Sequence, residues 1–144
     1  MFKGKRQFKK KSIFLNYRQL YIRISTQDVD PAPQDFSEYC NQVDWCKADQ
    51  GWFYNSWADV YWERGEWDKV TEKLGMQLEL ARDKKIRTDV MKNLERAYLN
   101  WSYTYMNQRK WGRAADILKK CLAKYPKMRS CQKTLEKLKD EHGV

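Results

Sequence analysis

Two stretches of the chain share one aromatic spacing, and that spacing limits what the chain can fold into. Tyr61 to Leu74 reads YWERGEWDKVTEKL, and Tyr105 to Leu118 reads YMNQRKWGRAADIL. In each, a Trp follows the Tyr by six residues and a Leu follows the Trp by seven, and the two stretches lie 44 residues apart. The same shift pairs Tyr54 with Tyr98, Trp57 with Trp101, Ala58 with Ser102, Val70 with Ala114 and Leu78 with Leu122. Large aromatics recur as large aromatics and small residues as small ones. A repeat of this length with helical spacing of apolar residues is the mark of a stacked helical unit that cannot bury its apolar face alone.

The small positions give the repeat its physical sense. Ala58 and Ser102 sit mid-helix, where a neighbouring helix must approach closely, and Ala114 answers Ser102 from the next antiparallel helix. Apolar residues on one stripe predict the helices. Phe36, Tyr39, Cys40, Val43 and Cys46 follow a D-x-x-E start signal at Asp35 and Glu38. Gly51 either caps that helix or weakens it, and Tyr54, Trp57, Ala58 and Tyr61 resume the pattern up to a turn at Gly65. A second helix from about Glu66 is expected to bury Val70, Leu74, Gln77, Leu78 and Ala81. A third is expected to bury Ile86, Val90, Leu94, Ala97, Trp101 and Tyr105. After a turn near Gln108 to Lys110, a fourth carries Trp111, Ala114, Leu118, Cys121 and Leu122 and ends before Pro126. A fifth carries Met128, Cys131, Leu135 and Leu138. The body therefore reads as all-α.

The pattern resembles the tetratricopeptide repeat family, whose signature is an aromatic, a bulky apolar residue, a small one and a Tyr in the first helix. The second helix carries a small residue, an aromatic or Leu, another small residue and then Pro. Tyr98, Trp101, Ser102, Tyr105, Ala114, Leu118, Cys121 and Pro126 match it in the second unit. Tyr54, Trp57, Ala58 and Tyr61, followed by GEWDKV, match it in the first, which then departs at Val70, Gln77 and Arg82. The spacing of 44 also exceeds the family period of about 34, and the extra ten residues are expected to lengthen the first helix of the second unit. A generic amphipathic bundle is the plainer alternative. The resemblance implies two helix hairpins plus a C-terminal capping helix over residues 35–141, preceded by an extended basic arm and linker over residues 1–34.

The formal net charge of +10 is uneven. Residues 1–26 carry Lys3, Lys5, Arg6, Lys9, Lys10, Lys11, Arg18 and Arg23 and no acid, whereas the remaining 118 residues carry 21 basic and 19 acidic side chains. Such an arm suits nucleic acid, an anionic membrane surface or an acidic partner, and its acid-poor composition also fits an organelle-targeting segment. The expectation is an uncleaved arm ordered by a neighbour, with Ile13, Tyr17, Leu20, Tyr21 and Ile24 at a spacing that a partner could fold into a helix. LYIRIS within it reads as strand or helix. Pro31 and Pro33 separate arm from body. No apolar run reaches the length of a membrane span, and an intracellular location, cytoplasmic or organellar with the mitochondrion included, is expected.

Catalytic chemistry finds little footing. The one histidine, His142, stands two residues from the end, and no Gly-rich phosphate loop occurs. No enzyme activity, cofactor or metal site is expected. Cys40 and Cys46 lie about 120° apart around a helix and cannot bond to each other. Cys121 and Cys131 flank the Pro126 turn and are either bridged or, like the other two, small buried apolar residues.

The resemblance implies that the first helix of each unit lines a groove. By helical phase that face carries Trp52, Asn55, Asp59 and Trp62 in the first unit and Arg96, Asn100, Tyr103 and Met106 in the second. Trp, Tyr and Arg are interface anchors, although Trp52 and Trp62 could equally pack under the N-terminal segment. Asp59 argues against a groove that grips a C-terminal carboxylate. The chain is expected to be a non-catalytic protein-interaction module, an adaptor or accessory subunit of a larger assembly whose partners are other protein subunits. The alternative is a ribonucleoprotein-type subunit held to nucleic acid by the arm, whose Phe and Tyr residues are interleaved with its cations.

Overall fold

A computed structural model describes the backbone of residues 46–144 and, from residue 54 onward, their side chains. The arm, its eight cations, the Pro-containing linker and the helix start at Asp35 lie outside the described residues, as do the side chains of Cys46 and Trp52. The described residues form five helices: α1 (Cys46–Arg64), α2 (Trp67–Leu80), α3 (Lys84–Asn107), α4 (Trp111–Lys124) and α5 (Arg129–His142). Each packs on the next, and α5 also touches α3. The result is an all-α bundle of paired helices, with α1–α2 and α3–α4 as hairpins. Gly51 lies inside α1 and ends nothing. α3 is the longest of the described helices, with 24 residues against 19 in α1 and 14 each in α2, α4 and α5.

The two hairpins are built alike. In each first helix a Tyr stacks on the Trp one turn later, at 6.0 Å for Tyr54–Trp57 and 6.3 Å for Tyr98–Trp101. Ala58 meets the second helix where Val70 is fully buried, and the pair Ser102 and Ala114, also fully buried, repeats this in the second unit. The Ser102 hydroxyl donates to the Ala114 carbonyl at 3.4 Å, so the one polar atom at that crossing has an acceptor. No side chain with a γ-branch would fit there without parting the helices.

The hairpin turns are also equivalent, with one difference. After α1, the Gly65 amide donates to Trp62 and the Glu66 amide to Tyr61, both at 3.0 Å. After α3, Arg109 donates to Met106 and Lys110 to Tyr105, both at 2.9 Å. This double bond closes a helix end around a residue of left-handed conformation. Gly65 takes φ +69 without strain, whereas Arg109 takes φ +58 with a Cβ in the way.

The junction between hairpins is held by side chains. The Asp83 carboxylate accepts from the Lys85 and Ile86 amides at 2.8 and 3.1 Å and so starts α3. One turn on, Arg87 donates to the Leu78 and Ala81 carbonyls at 3.1 and 3.0 Å, which satisfies two acceptors at the end of α2. Here the structure corrects the sequence expectation. Ile86 is 48% exposed, because the first turns of α3, Lys84 to Asp89, are all exposed and bury nothing before Val90. Ala81 is only half-buried, since α2 stops at Leu80 and Ala81 is extended. Trp101, Tyr105, Trp111 and Leu122 flank the core rather than fill it.

One core member has a charge. Lys73 is 1% exposed, with its ammonium 3.8 Å from the centre of the buried Trp57 ring and 3.4 Å from the Glu72 carboxylate. A cation against an aromatic face is a favourable way to hold such a group out of water. It lies one turn from Val70 and Gln77 and shares their inward face. At the other end of the bundle Cys121 and Cys131 are free, fully buried thiols, with the Cys121 sulfur 3.2 Å from that of Met128. Of the two alternatives for these residues, the structure therefore holds the unbridged one. The hydrogen bond to Cys131, burial and the Glu95 carboxylate hold the Cys121 thiol well above the ordinary thiol range.

Two substitutions test this account. Ser102→Leu overpacks the closest crossing and is expected to lower stability by about 1–3 kcal/mol; an unchanged melting temperature would show that the crossing is not close. Arg109→Gly removes left-handed strain and is expected to add about 0.5–1 kcal/mol. Gly65→Ala introduces that strain and should shift the thermal midpoint in the opposite direction.

Candidate functional site

Helices α1 and α3 stand as the two walls of a cleft of about 440 Å³, lined by Asn55, Ala58, Asp59, Trp62, Glu63, Leu74, Asn93 and Arg96. Ala58 and Leu74, both buried, belong to its floor because they serve the α1–α2 packing. The walls are polar. Asn55, Asp59 and Glu63 recur every fourth residue of α1 and so form one ladder along it. Asn93 and Arg96 are one turn apart on α3. The Trp62 ring meets Trp67 edge to face at 5.1 Å, and the Arg96 guanidinium lies over it at 5.8 Å. Trp67 thus braces Trp62 from α2, and Trp62 in turn places Arg96.

The structure brings together four of the eight side chains expected on this face: Asn55, Asp59, Trp62 and Arg96. The other three described ones are elsewhere on α3. Tyr103 is 45% exposed, Asn100 is half-buried, and Met106 is half-buried against the core, so these three do not line the cleft. Trp52 has no described side chain. Sequence reasoning missed Glu63 and Asn93. Glu63 had a signal, being one turn beyond Asp59 on the same face. Asn93 had none, because its role depends on where α1 lies.

The cleft is electrostatically uncompensated. Asp59 and Glu63 make no ion pair among the described residues, and Arg96 on the far wall makes none with either. Burial raises the Asp59 carboxyl above its usual range, and the Glu63 charge raises it further. A second cleft, of about 580 Å³, lies between α2 and α4 and is lined by two acids, Asp68 and Glu72, and two cations, Lys120 and Lys124. Its Tyr98 hydroxyl is pushed up to about 12, mainly by burial.

Among the described residues no group of three His, Cys, Asp or Glu side chains is placed to hold a metal ion, and no helix is long and apolar enough to cross a membrane. His142 stacks on Trp111 with ring centres 3.7 Å apart and is thereby tied to the end of the bundle. No protein-family model matches the chain, and no curated protein is significantly similar to it. The class is set by the fold: an all-α, multi-helix bundle of paired helices, consistent with a helical repeat.

A charge held at some expense to folding leaves a thermodynamic trace. Because the folded protein raises the Asp59 pKa, it takes up a proton more readily than the unfolded chain, so the ionised group opposes folding at neutral pH and the opposition fades as pH falls through the raised pKa. Asp59→Asn is therefore expected to raise the melting temperature at pH 7, with the difference from wild type closing toward about pH 4. A lower melting temperature at pH 7 would mean that the carboxylate has a stabilising partner.

Proposed function

We propose that this protein is a tetratricopeptide-like, non-catalytic interaction module, an adaptor or accessory subunit that docks a partner polypeptide in the α1–α3 cleft. The observation that carries this reading is the cleft itself: amide, carboxylate, guanidinium and indole groups on rigid helices, with two carboxylates that no described residue neutralises. Side chains fixed on helices lose little freedom on binding, which favours recognition. The match of both hairpins to the repeat signature, through Ser102 and Ala114 in the second and Ala58 in the first, supports the assignment to this family of modules.

A second reading is favoured by one observation. Residues 109–144 carry eleven Lys and Arg against four Asp and Glu, in addition to the eight unopposed cations of residues 1–26. Both ends of the chain thus suit a phosphate backbone, as expected of a ribonucleoprotein subunit.

Site-specific photo-crosslinking separates the readings. A photoreactive residue is placed at Glu63 or Asn93 in the cleft, or at Glu136 on the exposed face of α5, and the full chain is irradiated in native extract. The expected outcome is one protein adduct shared by the two cleft positions and absent at Glu136. Adducts to RNA, weakening steeply as salt is raised, would favour the second reading.

A further inference from the structure

The chemistry of the cleft walls restricts the partner further, and this inference rests on the docking reading above. Asp59 and Glu63 are one turn apart on α1, with Cβ atoms about 5–6 Å from each other. That separation suits an ammonium group or the fork of a guanidinium placed between the two carboxylates. Asn55 continues the same ladder one turn earlier. From Asn55 to Glu63 the rise is some 12 Å, which an extended peptide covers in about four residues. Across the cleft stands Asn93, a second amide that can both donate to and accept from a peptide backbone.

The alternatives fit less well. An acidic segment or a terminal carboxylate would meet two carboxylates on the α1 wall. Among the described residues the one cation lining the cleft, Arg96, is on the opposite wall and lies over the Trp62 ring. A metal ion would find two carboxylates and no third ligand among the described residues. An apolar segment would leave Asp59 and Glu63 without compensation and remove them further from water. A cation offsets the repulsion between these two exposed carboxylates and the partial desolvation that raises Asp59.

We propose that the α1–α3 cleft recognises a partner polypeptide by a lysine or arginine side chain seated between the Asp59 and Glu63 carboxylates, with Asn55 and Asn93 holding the peptide backbone beside it. Charge complementarity is the basis of selection, and the amide pair fixes the register.

The test uses the full chain and a positional-scanning library of short synthetic peptides as the probe. Wild-type protein is expected to enrich Lys or Arg at one position by about five- to tenfold over Gln. The double variant Asp59→Asn, Glu63→Gln keeps the side-chain shapes and removes both charges; it is expected to lose that enrichment while melting no lower than wild type. Arg96→Gln is expected to keep it. Enrichment of Asp or Glu, or Lys and Arg enrichment unchanged in the double variant, overturns the inference. Peptide binding that is lost in Asn55→Ala and Asn93→Ala without any preference for a cation overturns it too, yet leaves the docking reading standing. Binding indifferent to all of these variants, together with no adduct from Glu63 or Asn93, removes both. Selection that appears only after residues 1–26 are deleted would mean that the chain's own basic segment is the occupant, which overturns a partner-supplied cation.

Discussion

Two helices come within about 8–10 Å of each other only where the side chains between them are small. Ser102 against Ala114 meets that condition in the second hairpin, and the buried Ala58 of α1 meets it in the first. The remaining architecture follows from these crossings. They set the spacing of α1 from α2 and of α3 from α4, and α2, bonded through its last carbonyls to Arg87 of α3, sets the spacing of the hairpins. The cleft is the gap that this arrangement leaves between α1 and α3. A larger residue at Ser102 would change its shape without belonging to its lining, whereas Ala58 is part of that lining.

The parts of the fold that were legible in the sequence are those that depend on helical phase. Tyr54, Trp57, Ala58 and Tyr61, and from the second unit Tyr98, Ser102, Ala114 and Leu118, are buried as their period requires. What the period could not show was where a helix has a neighbour. Ile86 has the phase of a core residue and lies on a turn with nothing opposite it. Lys73 was invisible for the opposite reason, because a lysine reads as solvated until an aromatic face such as that of Trp57 is known to lie above it. The turn at Arg109 was placed correctly, but its left-handed backbone has no sequence signal, since glycine is the usual mark of that conformation.

The candidate site was legible to the same extent. Phase gave the face that holds Asn55, Asp59, Trp62 and Arg96, while tertiary placement decided that Asn93 and Glu63 join them and that Tyr103 and Met106 do not. The tetratricopeptide resemblance added an expected groove but not its chemistry. Family grooves that take a carboxylate need cations on the wall where this chain has Asp59 and Glu63. Among the described residues Asp59 and Glu63 make no ion pair, which leaves that wall open to a cation from outside the fold.

The double hydrogen bond from Arg87 to the end of α2 has a mechanical consequence. It anchors the start of α3 to the end of α2 at one corner, and a tilt of α3 would turn about that corner. Asn93 and Arg96 are about 9–14 Å up the helix from this fulcrum, and a tilt of a few degrees moves them by roughly an ångström relative to α1. A tilt of α3 about this corner would change the aperture of the cleft without unpacking Ser102 from Ala114, in the way that calipers adjust at their pivot and not at their tips.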